Sequence, residues 1–351
     1  MFSGTKAKKM KRYGNLYDKI CSVENLKLAD KIARKGKLRS YGVRRHDKHR
    51  EQNIQRLHET LVNESYRTSS YTIFKIYDPK EREISRLPYY PDRIVHHAIM
   101  NYLEPIFVSV FTKNTYSCIK RRGIHGAFVD VQNALRRDPT GTDYCLKLDI
   151  RKFYPSIDHE ILKLIIRKKV KDNRLLSLLD EIINSAPGVP IGNYLSQYFA
   201  NLYLAYFDHW IKEEKRVKHY FRYADDIVIL HSSKEYLRGL FLEIQDYLSE
   251  RLKLVIKKNW QIFPVKSRGI DFIGYIFYHT HILLRKGIKK RFCRRLSLLN
   301  KKEISDKKYM IAICSWLGWA KHCDSKHLLN KVLKGKYYER QLKYCNIPGR
   351  P

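Results

Sequence analysis

Two apolar, strand-prone runs flank Ala224-Asp225-Asp226 in the stretch FRYADDIVIL, residues 221–230, and no other feature constrains the chain as tightly. Val, Ile, Phe and Tyr favour the pleated, half-buried surface of a sheet, whereas adjacent Asp residues disfavour it, so the acids are expected where two strands reverse. Neighbouring carboxylates repel and lose hydration when held against a packed sheet. A bound divalent cation is one compensation. A solvated Asp-rich turn is the other, and for these few residues alone it is the simpler reading.

Upstream, Tyr144 to Leu148 alternates into Asp149, which puts Cys145, Lys147 and Asp149 on one face of a strand. A third carboxylate therefore ends a strand. Only tertiary folding could bring it to the other two.

The surrounding stretches form an ordered series. YCLKLDIRKFYPSIDHEIL (144–162), GVPIGNYLSQYFANLYL (188–204) and FRYADDIVIL resemble, in that order, the acidic and intervening motifs of the reverse transcriptases. DRIVHHAI (92–99) and TYSCIKRRGIHGAF (115–128) are similar to that family's finger motifs, and GIDFIGYIF (269–277) to its primer-gripping segment. The resemblance covers roughly residues 75–280 as recognisable motifs. Within the family, Ile191-Gly192 and Ser196-Gln197 stand where most group II intron and retron enzymes read Gln-Gly and Ser-Pro. That form resembles the reverse transcriptases of diversity-generating retroelements.

The resemblance implies an α+β right-hand polymerase with an antiparallel palm sheet backed by helices and a helical thumb. A basic helical N-terminal extension is expected at 1–60, fingers at 61–140, palm with part of the fingers inserted at 141–280, and a helical thumb at 281–351. The implied activity is RNA-directed DNA synthesis by two-metal nucleotidyl transfer, with two Mg²⁺ ions for which Mn²⁺ can substitute. Asp149 and Asp225 would bridge the ions, Asp226 would lie beside one of them, and the Ile150 carbonyl would complete the shell. Tyr154 matches the bulky residue that excludes a 2′-hydroxyl, with aromatic core packing as its other reading. Lys152 and Phe153 would offer backbone N–H groups to the triphosphate. Arg82 resembles the finger arginine that clamps the phosphates, although KEREISRLPYYPDR runs one residue longer than the usual pattern and leaves Arg86 as the fallback. Lys257 and Lys258 lie where the family often has a lysine able to protonate pyrophosphate, with a plain surface lysine as the other reading.

Ile191 replaces a glutamine that touches the incoming nucleotide in related polymerases, and an isoleucine cannot make those hydrogen bonds. Weaker checking of the nascent pair follows. The resemblance thus implies error-prone copying, chiefly opposite template adenine. Gln197 in place of proline would reshape the same pocket, and Gly192 allows close backbone approach. The implied partners are template RNA, primer and cDNA, dNTPs and a small basic accessory variability determinant. Neither a ribonuclease H domain nor an endonuclease is expected after the thumb, so integration would need other proteins.

Composition agrees with a polyanionic partner. The 351 residues carry 70 Lys and Arg against 35 Asp and Glu, a net charge of +35. Ribosomal proteins and histones share that balance, so charge alone does not mean catalysis. The 26 tyrosines supply surfaces on which bases can stack, at ~1–3 kcal/mol per base. Arg121, Arg122, Lys289, Lys290 and Arg294 are the expected nucleic-acid contacts. The last three lie in a stretch where Ile288, Phe292, Leu296 and Leu299 recur at helical spacing, giving one apolar face among cationic ones. Helices are also expected to start at Ser156 and, through a Ser-x-x-Glu capping box, at Ser232. The seven cysteines include no CxxC pair, so reduced thiols are expected, and Cys314, His322, Cys323 and His327 lack the paired short loops of a zinc site. No run approaches a bilayer-spanning length, and a cytoplasmic protein without membrane contact is expected. Other bacterial reverse transcriptases, such as retron, intron or phage-defence enzymes, and a non-catalytic RNA-binding scaffold are the competing readings.

Overall fold

The computed structural model describes residues 11–77, 81–301 and 305–333. The basic start at 1–10, Lys302, Cys345 and the last part of the expected thumb, 334–351, lie outside the described residues. The chain is α+β and divides into two units, each drawn from separate stretches. The first takes the chain up to Gly123 together with Leu148–Lys218 and Phe241–Asn259; the second takes Ile124–Lys147, His219–Leu240 and the chain from Trp260 onward.

In the first unit, helices Tyr17–Cys21, Val23–Ala33, Tyr41–Asp47 and Arg50–Val62 precede a hairpin of β1 (Thr72–Tyr77) and β2 (Glu81–Arg86). The helix Val23–Ala33 starts because the Ser22 hydroxyl accepts from the Asn25 N–H at 3.2 Å, and it buries Leu26, Ala29 and Ala33. The Asn25 side-chain amide donates to the Ala98 carbonyl at 3.1 Å, which ties this helix to Ile94–Val108. Just before that second helix, the buried Asp92 carboxylate accepts from the Tyr66 hydroxyl at 2.7 Å and the Ser69 N–H at 3.0 Å. Asp30 is also wholly buried, and it accepts from Arg34 and Arg50 at 2.7 Å each and from the Tyr89 hydroxyl at 2.5 Å. Burial alone would push this carboxyl up, but the bonds from Tyr89, Arg34 and Arg50 bring it below its ordinary range.

The second unit holds two sheets. One has the strand order β4 (His219–Tyr223), β5 (Asp226–His231), β3 (Tyr144–Asp149) and β6 (Gln261–Pro264), with β4–β5 and β3–β6 antiparallel. Ile227, Val228, Ile229 and Leu230 of β5 are all buried, so this strand is covered on both faces. β3 falls where the alternation places it and ends on Asp149, its last two residues carrying the chain into the first unit. The other sheet is a meander of β7 (Ile270–Phe272), β8 (Tyr275–Phe277) and β9 (Ile282–Leu284). Phe128, from the helix Gly123–Arg137, packs edge-on against Tyr275 with ring centroids 4.9 Å apart.

Helix Lys286–Leu299 buries Ile288, Phe292, Leu296 and Leu299, the four residues whose spacing predicts it, and leaves Lys289, Lys290 and Arg294 exposed. Two helix starts differ from expectation. Tyr154–Ser156 is a short 3-10 turn, and the helix His159–Arg167 begins after Asp158, whose carboxylate accepts from the Ile161 N–H at 3.0 Å. An ionised acceptor beside the helix N-terminus outcompetes the Ser156 hydroxyl. Likewise Ser233, not Ser232, caps Lys234–Asp246, accepting from the Tyr236 N–H at 3.0 Å. No helix among the described residues is long and apolar enough to cross a membrane.

Replacing Phe292, which is 0% exposed, by Ala should cost about 3–5 kcal/mol of stability in urea unfolding. Lys290→Gln on the exposed face should stay within about 0.5 kcal/mol. Equal effects would mean that the apolar face is not what holds this helix.

Candidate active site

Strands β4 and β5 meet at a two-residue loop. Tyr223 pairs with Asp226, leaving Ala224 and Asp225 to reverse the chain, with Ala224 at φ +55°. A left-handed residue at the first loop position is the pattern that favours glycine there, and alanine in that region costs ~1–2 kcal/mol. The surroundings over-determine it: the fully buried Arg222 donates from Nη1 to the Ala224 carbonyl at 3.0 Å. Asp225 thus sits in the turn, and Asp226 opens β5 directly ahead of its apolar run. In the same unit the Lys147 ammonium stands 3.6 Å from Asp226 Oδ2 and also donates to the Asp271 carbonyl.

The remaining acid belongs to the first unit. Asp149 Oδ2 accepts from Lys257 Nζ at 2.6 Å, and the two backbones are joined by the Lys257 N–H to the Asp149 carbonyl at 2.8 Å. Asp149 Oδ1 is buried and has no hydrogen-bond partner. Ile150 pairs with Ile256 in an antiparallel bridge whose flanking bonds are made by Lys257 and Arg151, so the Ile150 carbonyl points away from that partner. A half-buried carboxylate with one unsatisfied oxygen, beside an outward carbonyl, suits a hard divalent cation. Among the described residues no three His, Cys, Asp or Glu side chains already stand together as a metal-binding group. A lysine ammonium faces Asp149 and another faces Asp226.

Around Asp149 the first unit assembles the other expected residues. Phe153 is buried core, its ring 5.5 Å from that of the half-buried Tyr154, while Lys152 takes a left-handed φ of +45°. The Tyr154 carbonyl accepts from the Val189 N–H at 2.9 Å. Gly188 has φ +60°, and a Cβ there would lie 2.6 Å from the carbonyl oxygens of both Tyr154 and Pro155. Gly192, at φ +125°, would put a Cβ 2.5 Å from the Ser85 carbonyl oxygen. The close approach that needs glycine here is therefore made by β2 of this chain, whose Ser85 N–H also donates to the Ile191 carbonyl at 2.8 Å. Gln197 is exposed, and Ser196 turns inward to donate to the Pro190 carbonyl at 2.6 Å.

Arg82 and Arg86 are both exposed on β2, and the Arg86 guanidinium lies 5.6 Å from the centre of the Phe74 ring. Arg121 has a left-handed φ of +65°, and Arg122 donates to the Thr112 and Thr115 carbonyls at 2.6 and 3.2 Å, tethering its own loop. Lys289, Lys290 and Arg294 stand on the second unit's cationic helix face. Local pattern could not reveal the Ser85–Ile191 bond, which joins residues far apart in sequence. Lys147 was visible as a face-mate of Asp149, but its ion pair with Asp226 was not.

A family model described as reverse transcriptase (RNA-dependent DNA polymerase) matches residues 79–277. Among curated proteins, Protein YkfC of Escherichia coli is 25% identical over 259 residues, covering 60% of this chain and 66% of that protein. The retron Ec73 reverse transcriptase of Escherichia coli is 26% identical over 286 residues, covering 74% of this chain and 85% of that one. The group II intron-encoded protein LtrA of Lactococcus lactis is 21% identical over 262 residues, covering 54% of this chain and 43% of that one. The chain thus spans just under two thirds of the first relative and less than half of the third. A solved telomerase from Candida albicans, in complex with a fragment of telomeric RNA, aligns over 81% of this chain and 61% of its own at 12% identity and a TM-score of 0.47. With a single family model covering more than half of its residues and all three acids, the chain belongs to the reverse transcriptase (RNA-dependent DNA polymerase) family.

Proposed function

We propose that the protein is an RNA-directed DNA polymerase of a diversity-generating retroelement, making error-prone cDNA from a template RNA. The observation that carries the polymerase reading is the retention of Asp149, Asp225 and Asp226 inside an ordered motif series that the family model spans. Asp149, Asp225, Asp226 and the Ile150 carbonyl would hold Mg²⁺, and Mn²⁺ in its place. When bound, such ions acidify the primer 3′-hydroxyl and neutralise charge on the triphosphate. The primer oxygen attacks the α-phosphorus, the bond to the β-phosphate bridging oxygen breaks, and pyrophosphate leaves. Lys257, held at Asp149, is the ammonium that protonates it.

Tyr154 closes the sugar side of the pocket, Lys152 and Phe153 present backbone N–H groups to the phosphates, and Arg82 or Arg86 clamps them. Arg121, Arg122, Lys289, Lys290 and Arg294 contact nucleic-acid backbone, with Arg122 steadying its loop. Fingers at 61–140, palm at 141–280, thumb at 281–351 and an N-terminal extension at 1–60 complete this reading, in a cytoplasmic protein that works with a basic accessory protein. The subtype rests on Ile191-Gly192 and Ser196-Gln197. A retron or group II intron type of enzyme is the second reading, favoured by the relatives Ec73 and LtrA.

Primer extension on an RNA template with Mg²⁺ should be lost, by at least about a thousandfold in rate, in Asp225→Ala/Asp226→Ala. Equal rates in variant and wild type would leave only a scaffold. Sequencing of the products should give misincorporation concentrated opposite template adenine and reduced in Ile191→Gln. Uniform fidelity at all four template bases would favour the retron or intron reading.

A further inference from the structure

We propose that Lys147 acts through Asp226 as a fixed counter-charge that holds down the affinity of this acid for a divalent cation. The inference rests on the polymerase reading for the role of Asp226 as a metal ligand, and it adds the residue that tunes that role.

The two lysines that face active-site acids are held in different ways. Within the first unit, Lys257 Nζ lies directly on its acid, 2.6 Å from Asp149 Oδ2, a full hydrogen bond. Within the second, Lys147 Nζ stands 3.6 Å from Asp226 Oδ2, beyond hydrogen-bond reach but inside the range of an ion pair. What fixes Lys147 is a neutral group, the Asp271 carbonyl to which it donates. An ammonium anchored on its own acid can be drawn off when another cation takes that acid. One anchored on a carbonyl keeps its place.

The anchor is built into the meander. β7 is an edge strand there, and Phe272 and Tyr275 flank the two-residue turn at Ile273-Gly274. Asp271 and Ile276, the next pair, are then of the non-hydrogen-bonded kind, so the Asp271 carbonyl points off the edge of the sheet, where Lys147 meets it. The turn itself is packed: a Cβ on Gly274 would lie 2.5 Å from the Trp319 ring and 3.0 Å from Ile288 of helix Lys286–Leu299. Arg285, the residue before that helix, donates from its N–H to the Gly274 carbonyl at 3.0 Å and from Nε to Asp271 Oδ1 at 2.5 Å. The Asp271 carboxylate is therefore answered by Arg285, which leaves the Lys147 charge to Asp226.

With 26% of the Lys147 side chain and 30% of the Asp226 side chain exposed, water screens this pair only in part. A carboxylate accompanied by a positive charge that cannot withdraw attracts a further cation less strongly. The cost falls on the metal-bound state, so removing the ammonium should strengthen metal binding. A purely structural prop would act in the opposite sense, because its loss would let the acid wander and weaken the metal.

Mn²⁺ is the probe, its binding to the whole chain read from the loss of the free-ion paramagnetic signal, with neither nucleotide nor primer present. Lys147→Gln should bind Mn²⁺ about tenfold tighter than wild type. Lys147→Met, which keeps the aliphatic stem, should do the same. Lys147→Arg keeps the charge and should stay within about threefold of wild type. In an Asp226→Asn background Lys147→Gln should change nothing, since the acid through which it acts is gone. Unchanged or weaker binding in either folded neutral variant, a gain in Lys147→Arg equal to that in Lys147→Gln, or the same gain in the Asp226→Asn background would each overturn the proposal. If Asp225→Ala/Asp226→Ala loses Mn²⁺ in that case, the metal site of the polymerase reading still stands. If the double variant binds Mn²⁺ as wild type does, both fall.

Discussion

Carboxylates placed at the ends of apolar strands must have their charge answered, and much of the active-site architecture follows from that requirement. β5 runs from Asp226 straight into four buried aliphatic residues, and β3 runs from three buried residues into Asp149. Neither strand can turn its acid fully to bulk water without giving up its cover. In the protein alone the answer is lysine: Lys257 on one acid and Lys147 on the other. An ammonium and a hydrated divalent cation ask similar things of a carboxylate, so a site that holds metal can rest on lysine. The same logic explains Asp30, whose buried carboxylate is answered by two arginines and one tyrosine.

The local periodicities of the chain were readable before any coordinates. β3, the hairpin at Ala224 and the apolar stripe of Lys286–Leu299 all follow from alternation or from spacing near 3.6 residues, because each is decided by neighbours close in sequence. What escaped was decided by distant partners or by competition within a turn. Ser156 and Ser232 were plausible helix starts, but Asp158 and Ser233 make the bonds, a shift of one or two residues that propensity does not resolve. The division of the chain into two units drawn from alternating stretches left no mark in composition, since no Gly/Ser linker separates them.

The candidate site was partly legible for the same reason. Its acids announce themselves because Asp is unwelcome in a strand, and Tyr154 and Ile191 were found by resemblance to a family. Ser85 could not be found in either way: its contribution is a backbone N–H, which every residue but proline carries. Arg93, His96 and His97 were noticed as part of a motif, and only the fold shows that Arg93 Nε and both histidine Nε2 atoms are buried without a hydrogen-bond partner.

The two left-handed glycines have an evolutionary corollary. Any side chain at 188 would strike the carbonyls of Tyr154 and Pro155, and any at 192 the carbonyl of Ser85. The loop from 188 to 192 is therefore clamped between Tyr154–Pro155 on one side and the β1–β2 hairpin on the other. Variation at Ile191 can change the side chain there while the clamp keeps its backbone in place. Residue 191 can thus drift in a lineage without the surrounding frame being rebuilt, whereas drift at either glycine would disturb two segments at once.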